Sequence, residues 1–365
     1  LVSSAVGGTG AARKERRGKL VLAGDNWAFD STLAIASGVV AIQHSNALGD
    51  ATANGATTVS SGAALELESG ISVVANESLT ISGTGYGNDG SGALRNRSGA
   101  NVWNGPISLG SSVAAIGVGA NSDGLYASPS SGSSDVLSLS STLAISTESL
   151  VKSGDGTLEL IGTGKGSGGG LFVNAGSLRL NMTTGNLGAS VYVGTNDGGA
   201  SGVQVVYAPG AVGDQIGNSS TVSLARSGRF DFLGATDQIG SLSLVDGQVV
   251  NSGVGGQLTV SSGIVMTGGS INSGSGVVAT SGDITINVGG QATIAGRLLL
   301  NNAARTMTVA SGPAFYDVAL TADVDGGGSL GRLVKSGAGG LSLSGNNRKL
   351  TGGSDSVTLS VDSTI

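Results

Sequence analysis

Leu150-Val151-Lys152-Ser153-Gly154 recurs as Leu333-Val334-Lys335-Ser336-Gly337. The first copy runs on into Asp155-Gly156-Thr157-Leu158-Glu159-Leu160, the second into Ala338-Gly339-Gly340-Leu341-Ser342-Leu343. A degenerate third copy lies near the N-terminus. There Lys14, Gly18, Leu20 and Leu22 keep the same spacing, and Arg16 stands where the others have their first glycine. Lysine, spaced glycines and alternating leucines that return along one chain predict an array of similar short units. Each unit of such an array buries its apolar side only by stacking on its neighbours. The pattern therefore points to an elongated rod and away from a globular enzyme.

The apolar signal between these copies has period two and comes in short bursts. Ala63-Ala64-Leu65-Glu66-Leu67-Glu68 sets its leucines on one face and its glutamates on the other. Thr157-Leu158-Glu159-Leu160, Ser177-Leu178-Arg179-Leu180, Ile284-Thr285-Ile286-Asn287-Val288 and Val357-Thr358-Leu359-Ser360-Val361 alternate in the same way. Bursts bounded by Gly, Asn, Asp or Ser read as strands, and no stretch has helical spacing. A sandwich or barrel needs hairpin turns and a wide core. Aromatics are only 3% of the chain, and Asn-Gly or Asp-Gly hairpins do not recur regularly. A β-solenoid needs small inward residues and glycines at its corners. The 365 residues include 67 Gly and only 4 Pro. The expected fold is all-β, one continuous solenoid over residues 1–365, with residues 1–17 irregular or frayed. With about 20 residues per coil, it would form roughly 17 to 19 coils and a rod of about 80 to 90 Å. The Ser/Gly-rich stretch from Ser128 to Ser134 is the best candidate for a loop bulging from the stack.

Charged residues make up 12% and the formal net charge is -6. Nucleic-acid binding needs a basic stripe, and none is present. The one basic run, Arg13-Lys14-Glu15-Arg16-Arg17, reads first as a solvated segment. A processing site and a contact to an acidic neighbour are its alternatives. With no Cys, disulfides, thiolate metal sites and thiol catalysis are excluded. No apolar run is long enough for a membrane helix. A start at Leu1 without a secretory pattern suggests a mature or trimmed piece of something longer.

Leu-Val-Lys-Ser-Gly-Asp-Gly-Thr-Leu-Glu-Leu resembles the passenger-associated β-strand repeat of bacterial autotransporters, a Lys-x-Gly-x-Gly-x-Leu-x-Leu motif followed by Gly and an Asn-rich turn. Gly24-Asp25-Asn26 and Gly345-Asn346-Asn347 fit that continuation, and Gly162-Thr163-Gly164 fits it less well. Ser45-Asn46-Ala47-Leu48-Gly49, Gly92-Ala93-Leu94-Arg95-Asn96 and the run from Ala235 to Leu244 also resemble the family. The resemblance implies a right-handed parallel β-helix at the surface of a Gram-negative bacterium, anchored in the outer membrane through a part not in this chain. It implies a non-catalytic structural or adhesive rod or fibre subunit. The alternative on the same fold is a polysaccharide-binding or polysaccharide-cleaving protein of tailspike or lyase type. The family's membrane barrel is missing, and Ile365 follows no aromatic girdle.

No catalytic, cofactor or metal residue is assigned. His44 is the only histidine, beside Gln43 at a strand end, and no nucleophile elbow precedes a downstream His. Glu66 and Glu68 are read as outward-facing; they would serve a glycosidase only with a second carboxylate about 5 to 10 Å away. Gly85-Tyr86-Gly87-Asn88-Asp89 is a single copy of a calcium-type nonapeptide. Asp323-Val324-Asp325-Gly326 is a partial EF-hand loop. Both read first as Asp/Gly turns. The sequons at Asn76, Asn96, Asn181 and Asn218 carry little in a bacterial chain. Trp27 and Trp103 could serve as sugar-stacking platforms, and Trp103 reads first as the cap of a core layer.

Three structural expectations follow. Leu158, Leu160, Leu178, Leu180, Leu341 and Leu343 point inward, and Glu66, Glu159 and Arg179 outward. Gly154 and Gly337 occupy corners, with Lys152 and Lys335 in equivalent places. The last strand, Val357 to Val361, presents an open edge that pairs with further chain or another copy, giving filaments or bundles. A surface glycan or a ligand on a host or neighbouring cell is the other expected partner.

Overall fold

The computed structural model describes residues 2–49, 55–119, 134–166, 168–195 and 202–345, and the backbone of Ser356–Leu359. Most of the Ser128–Ser134 stretch, Asn346, Asn347, Ser360, Val361 and Ile365 lie outside the described residues. Within them the protein is all-β with no helix, a β-solenoid of parallel strands. It divides into two compact units, Leu1–Ser190 and Val191–Ile365.

In the first unit, the stacking is residue on residue. Leu137, Leu158 and Leu178 form one inward column, and Leu139, Leu160 and Leu180 form the next. All six are buried. Parallel pairing in strict register keeps like on like, so the period-two alternation of each strand becomes a continuous aliphatic ladder. Each such leucine adds roughly 1.5 to 3 kcal/mol by leaving water. Glu159 and Arg179 occupy the outward column between the two ladders.

The second unit shows the complete turn clearly. Val277–Thr280, Asp283–Ile286 and Ala292–Ala295 are three successive strands of one coil. Each stacks on its counterpart in the coil before: Gln257–Val260, Gly263–Met266 and Ser270–Asn272. Leu242, Ile264, Ile284 and Met307 form one inward column.

Corners follow from backbone conformation. Gly154 has φ of 76° and Gly337 of 78°, as the shared motif predicts. Arg16, the residue that replaces this glycine in the third copy, takes φ of 66°. The left-handed conformation is therefore kept where the glycine is lost.

Three expectations are corrected. Coils are longer than 20 residues on average, because length varies between strands. One turn takes 19 residues where Arg229 stacks on Gln248, but 36 where Ala100 stacks on Val136. The count is accordingly about 14 turns. Leu341 is only half-buried and Leu343 is 37% exposed. They stack on Val318 and Leu320 on one side, and among the described residues no strand covers the other. Glu66 is wholly buried, although alternation sends it outward. Its column sets it between Ala41 and Arg95, and the long side chains of Lys19, Arg95 and Arg97 converge on its carboxylate.

Candidate functional site

The motif lysine stands in an inward column. Lys152 stacks between Ile116 and Val173, Lys14 on Ile35, and Lys335 on Met307. An aliphatic stem fits that position, but its ammonium needs partners. The corner supplies them. Lys152 Nζ donates to Ser153 O at 3.2 Å, to Gly154 O, and to Ala175 O one coil further on at 2.9 Å. Lys14 Nζ repeats this with Glu15 O at 3.1 Å, Arg16 O at 2.6 Å and Ser37 O at 3.1 Å. Lys335 Nζ donates to Gly337 O.

The left-handed residue turns its carbonyl toward the ammonium, and the third bond ties one coil to the next. Glycine follows that third acceptor in both complete copies. A Cβ at Gly38 would lie 2.6 Å from Arg16 O and 2.6 Å from Lys14 Nζ; one at Gly176 would lie 2.6 Å from Gly154 O. Lys152 is fully buried. Burial pushes its ammonium down to about 7, opposed by the charge of Asp155. Lys165, also fully buried, uses a related device, donating to Ile161 O at 2.8 Å and Thr163 O at 2.5 Å. Burial brings it to about 8.

A second cluster surrounds Glu66. Lys19 Nζ lies 2.7 Å from Glu66 Oε2 and 2.7 Å from Glu68 Oε1. Arg95 Nη1 and Arg97 Nη1 lie 3.3 and 3.6 Å from Glu66 Oε1, and Arg95 Nη2 lies 3.0 Å from Asp89 Oδ2. Three cations thus face three carboxylates. Burial pushes the Glu68 carboxyl up, but hydrogen bonds from Lys19 and Gln43 outweigh it and hold the group below its usual value. Burial pushes the Lys19 ammonium down, but its hydrogen bonds to Glu66 and Glu68 outweigh that and hold it above its usual value. Glu66 and Glu68 are thus committed to ion pairs with Lys19, Arg95 and Arg97.

The other residues singled out in the sequence do not converge. His44 Nδ1 accepts from Asn46 N at 3.2 Å and lies 3.8 Å from Asp25 Oδ1. Asp89 is committed to Arg95 and to Ser91 N, and Asp325 to Arg297 Nη2 at 2.9 Å and Gly327 N at 3.0 Å. Gly85–Asp89 is a turn as expected, whereas Asp323–Asp325 is a β-strand, and in both stretches these acids already have partners. Among the described residues no cluster of His, Asp or Glu could hold a metal ion. Trp103 is fully buried, which removes it as a platform, while Trp27 is 61% exposed.

Several buried acids were not found by sequence reasoning, and burial pushes two of them upward. Glu77 accepts from Thr57 Oγ1 at 2.6 Å, and burial pushes it up to about 7 despite that bond. Asp237 accepts from the Tyr207 hydroxyl and from Gln215 N and Ile216 N, and burial brings it to about 6. Each stands near a turn rich in polar residues, where sequence does not distinguish an inward acid from an outward one.

No family model matches the chain, and no curated protein or solved structure matches it.

Proposed function

We propose that the chain is a structural segment of an extracellular bacterial rod, of autotransporter-passenger type, whose work is mechanical display and adhesion. The observation that carries this reading is the corner lysine, repeated at Lys14 and Lys152 with acceptors in two successive coils. Such a device stiffens turn-to-turn stacking and does nothing for catalysis. The neutralisation of Glu66 and Glu68 by Lys19, Arg95 and Arg97 also weighs against a polysaccharide-cleaving role. Placement at the surface of a Gram-negative cell and outer-membrane anchoring rest on the motif resemblance alone. Self-association into filaments or bundles belongs to the same proposal, because solenoid ends offer strand edges.

Single-molecule pulling tests the mechanical reading. Expected are successive force peaks, each releasing about one coil of chain. One low-force event releasing the whole chain would overturn it. Sedimentation velocity over a concentration series tests self-association, for which larger species should grow with concentration.

A further inference from the structure

Outward positions of the second unit stack as strictly as inward ones. Ser241, Gly263 and Asp283 share one outward column; Ser243, Val265 and Thr285 share the next. The first column loses its side chain at Gly263, and the neighbouring Gly282 adds a second gap. Neither position accepts a side chain: a Cβ at Gly282 would lie 2.0 Å from Ser262 O, and one at Gly263 would lie 2.8 Å from Asp283 O. Around these gaps lies a groove of about 470 Å³ whose lining includes Ser262, Val265, Asp283, Thr285 and Arg305. That volume falls within the range of small-molecule sites.

The lining carries uncommitted chemistry. Arg305 spends only its Nε, which donates to Leu300 O at 3.2 Å. No acidic side chain among the described residues forms an ion pair with it, whereas Arg226, Arg229 and Arg297 of the same unit are all paired. Asp283 Oδ1 accepts from Thr306 N at 2.8 Å, and its Oδ2 faces no donor among the described residues. Val265 is 39% exposed between the hydroxyl residues Ser243 and Thr285 of its column.

We propose that this groove binds a short acidic glycan, with Arg305 recognising the carboxylate of a uronic-acid-type residue. A guanidinium holds a carboxylate through two parallel bonds. Asp283 and the Ser and Thr hydroxyls accept or donate to sugar hydroxyls, and Val265 lies under the C–H face of a ring. A nucleic acid would need several cations along a track. A predominantly apolar ligand would leave the charges of Asp283 and Arg305 in the lining without partners. The proposal rests on the adhesive part of the reading above and gives it a ligand. The pulling experiment does not depend on it, so the two fail separately.

The test is calorimetric titration of the whole chain with uronate tetrasaccharides (galacturonate, glucuronate and mannuronate) and with their carboxyl-reduced counterparts. At least one acidic tetrasaccharide should bind. Arg305→Gln should weaken that binding tenfold or more and leave the weaker binding of the reduced sugar unchanged. Ser262→Trp, at an exposed position, should abolish both while the circular dichroism spectrum and melting temperature stay as in the parent. Equal binding of acidic and reduced sugars would overturn the proposal. So would acidic binding that survives both variants, or no binding of any of the sugars at millimolar concentration.

Discussion

Arg16 holds a backbone conformation that Gly154 and Gly337 adopt in the other two copies of the motif. The left-handed region costs a non-glycine residue about 1 to 2 kcal/mol, and glycine gives part of that back through the freedom of its unfolded chain. Arg16→Gly should therefore stabilise the protein by up to about 1 kcal/mol, and Gly154→Ala should destabilise it by about 1 to 2 kcal/mol. Urea unfolding of the two variants beside the parent checks both signs. The corner lysine gives a graded pair. Lys152→Met leaves the Gly154 and Ala175 carbonyls without their donor inside the stack and should lower stability by about 2 kcal/mol. Lys14→Met, at a partly solvated corner where water replaces the ammonium, should cost less. Equal effects would show that burial is not what gives the clamp its strength. Glu77 supplies the pH dependence. Its folded pKa of about 7 lies above the ordinary 4.5, so the folded state binds the extra proton. Stability from this group is complete below pH 4.5 and is lost as pH rises through about 7. Glu77→Gln should raise stability at pH 8 by up to about 3 kcal/mol and change nothing near pH 4. Thermal melts at the two pH values decide it.

Single strands show where alternation was legible and where it failed. Leu158, Leu160, Leu178 and Leu180 are inward as their spacing predicts, because their strands have one face on the core and one on solvent. The same rule puts Lys152 inward, two positions after Leu150. That parity was readable in the sequence, yet a lysine is not expected there until the carbonyls that receive it are seen. Glu66 fails for the opposite reason. All of Ala63–Leu67 is buried, and around Glu66 the side chains of Lys19, Arg95 and Arg97 take the place of solvent. Alternation describes a strand with one wet side, and this strand has none. The result is a buried network that depends on every member. Glu66→Gln leaves Lys19, Arg95 and Arg97 short of one negative charge and should cost about 3 kcal/mol or more. Chemical denaturation at neutral pH measures it. A loss under 1 kcal/mol would mean that Glu68 and Asp89 alone satisfy the three cations.

At the scale of the whole molecule, the parallel solenoid was legible because a repeat with period-two leucines and abundant glycine leaves few other folds. The number of turns was not, since one coil absorbs between 19 and 36 residues without disturbing the columns. Little of the candidate site could be read in advance. Asp283 and Arg305 come together only through the register of neighbouring coils, and nothing local in the sequence links them. Coils that interact mainly with adjacent coils also unfold in an unusual way. Guanidinium unfolding should show an m-value well below that of a two-state chain of 365 residues, because parts of the array come apart independently. A single steep transition of full size would contradict this.

The clamp has one further effect, on proteolysis. A trypsin-like protease must draw a lysine or arginine side chain into its own pocket before it cuts. Lys152 and Lys165 are fully buried, with their ammonium groups held by main-chain oxygens, and Arg95 is nearly so. Lys152 and Lys165 are thus also cleavage sites that the folded protein withholds.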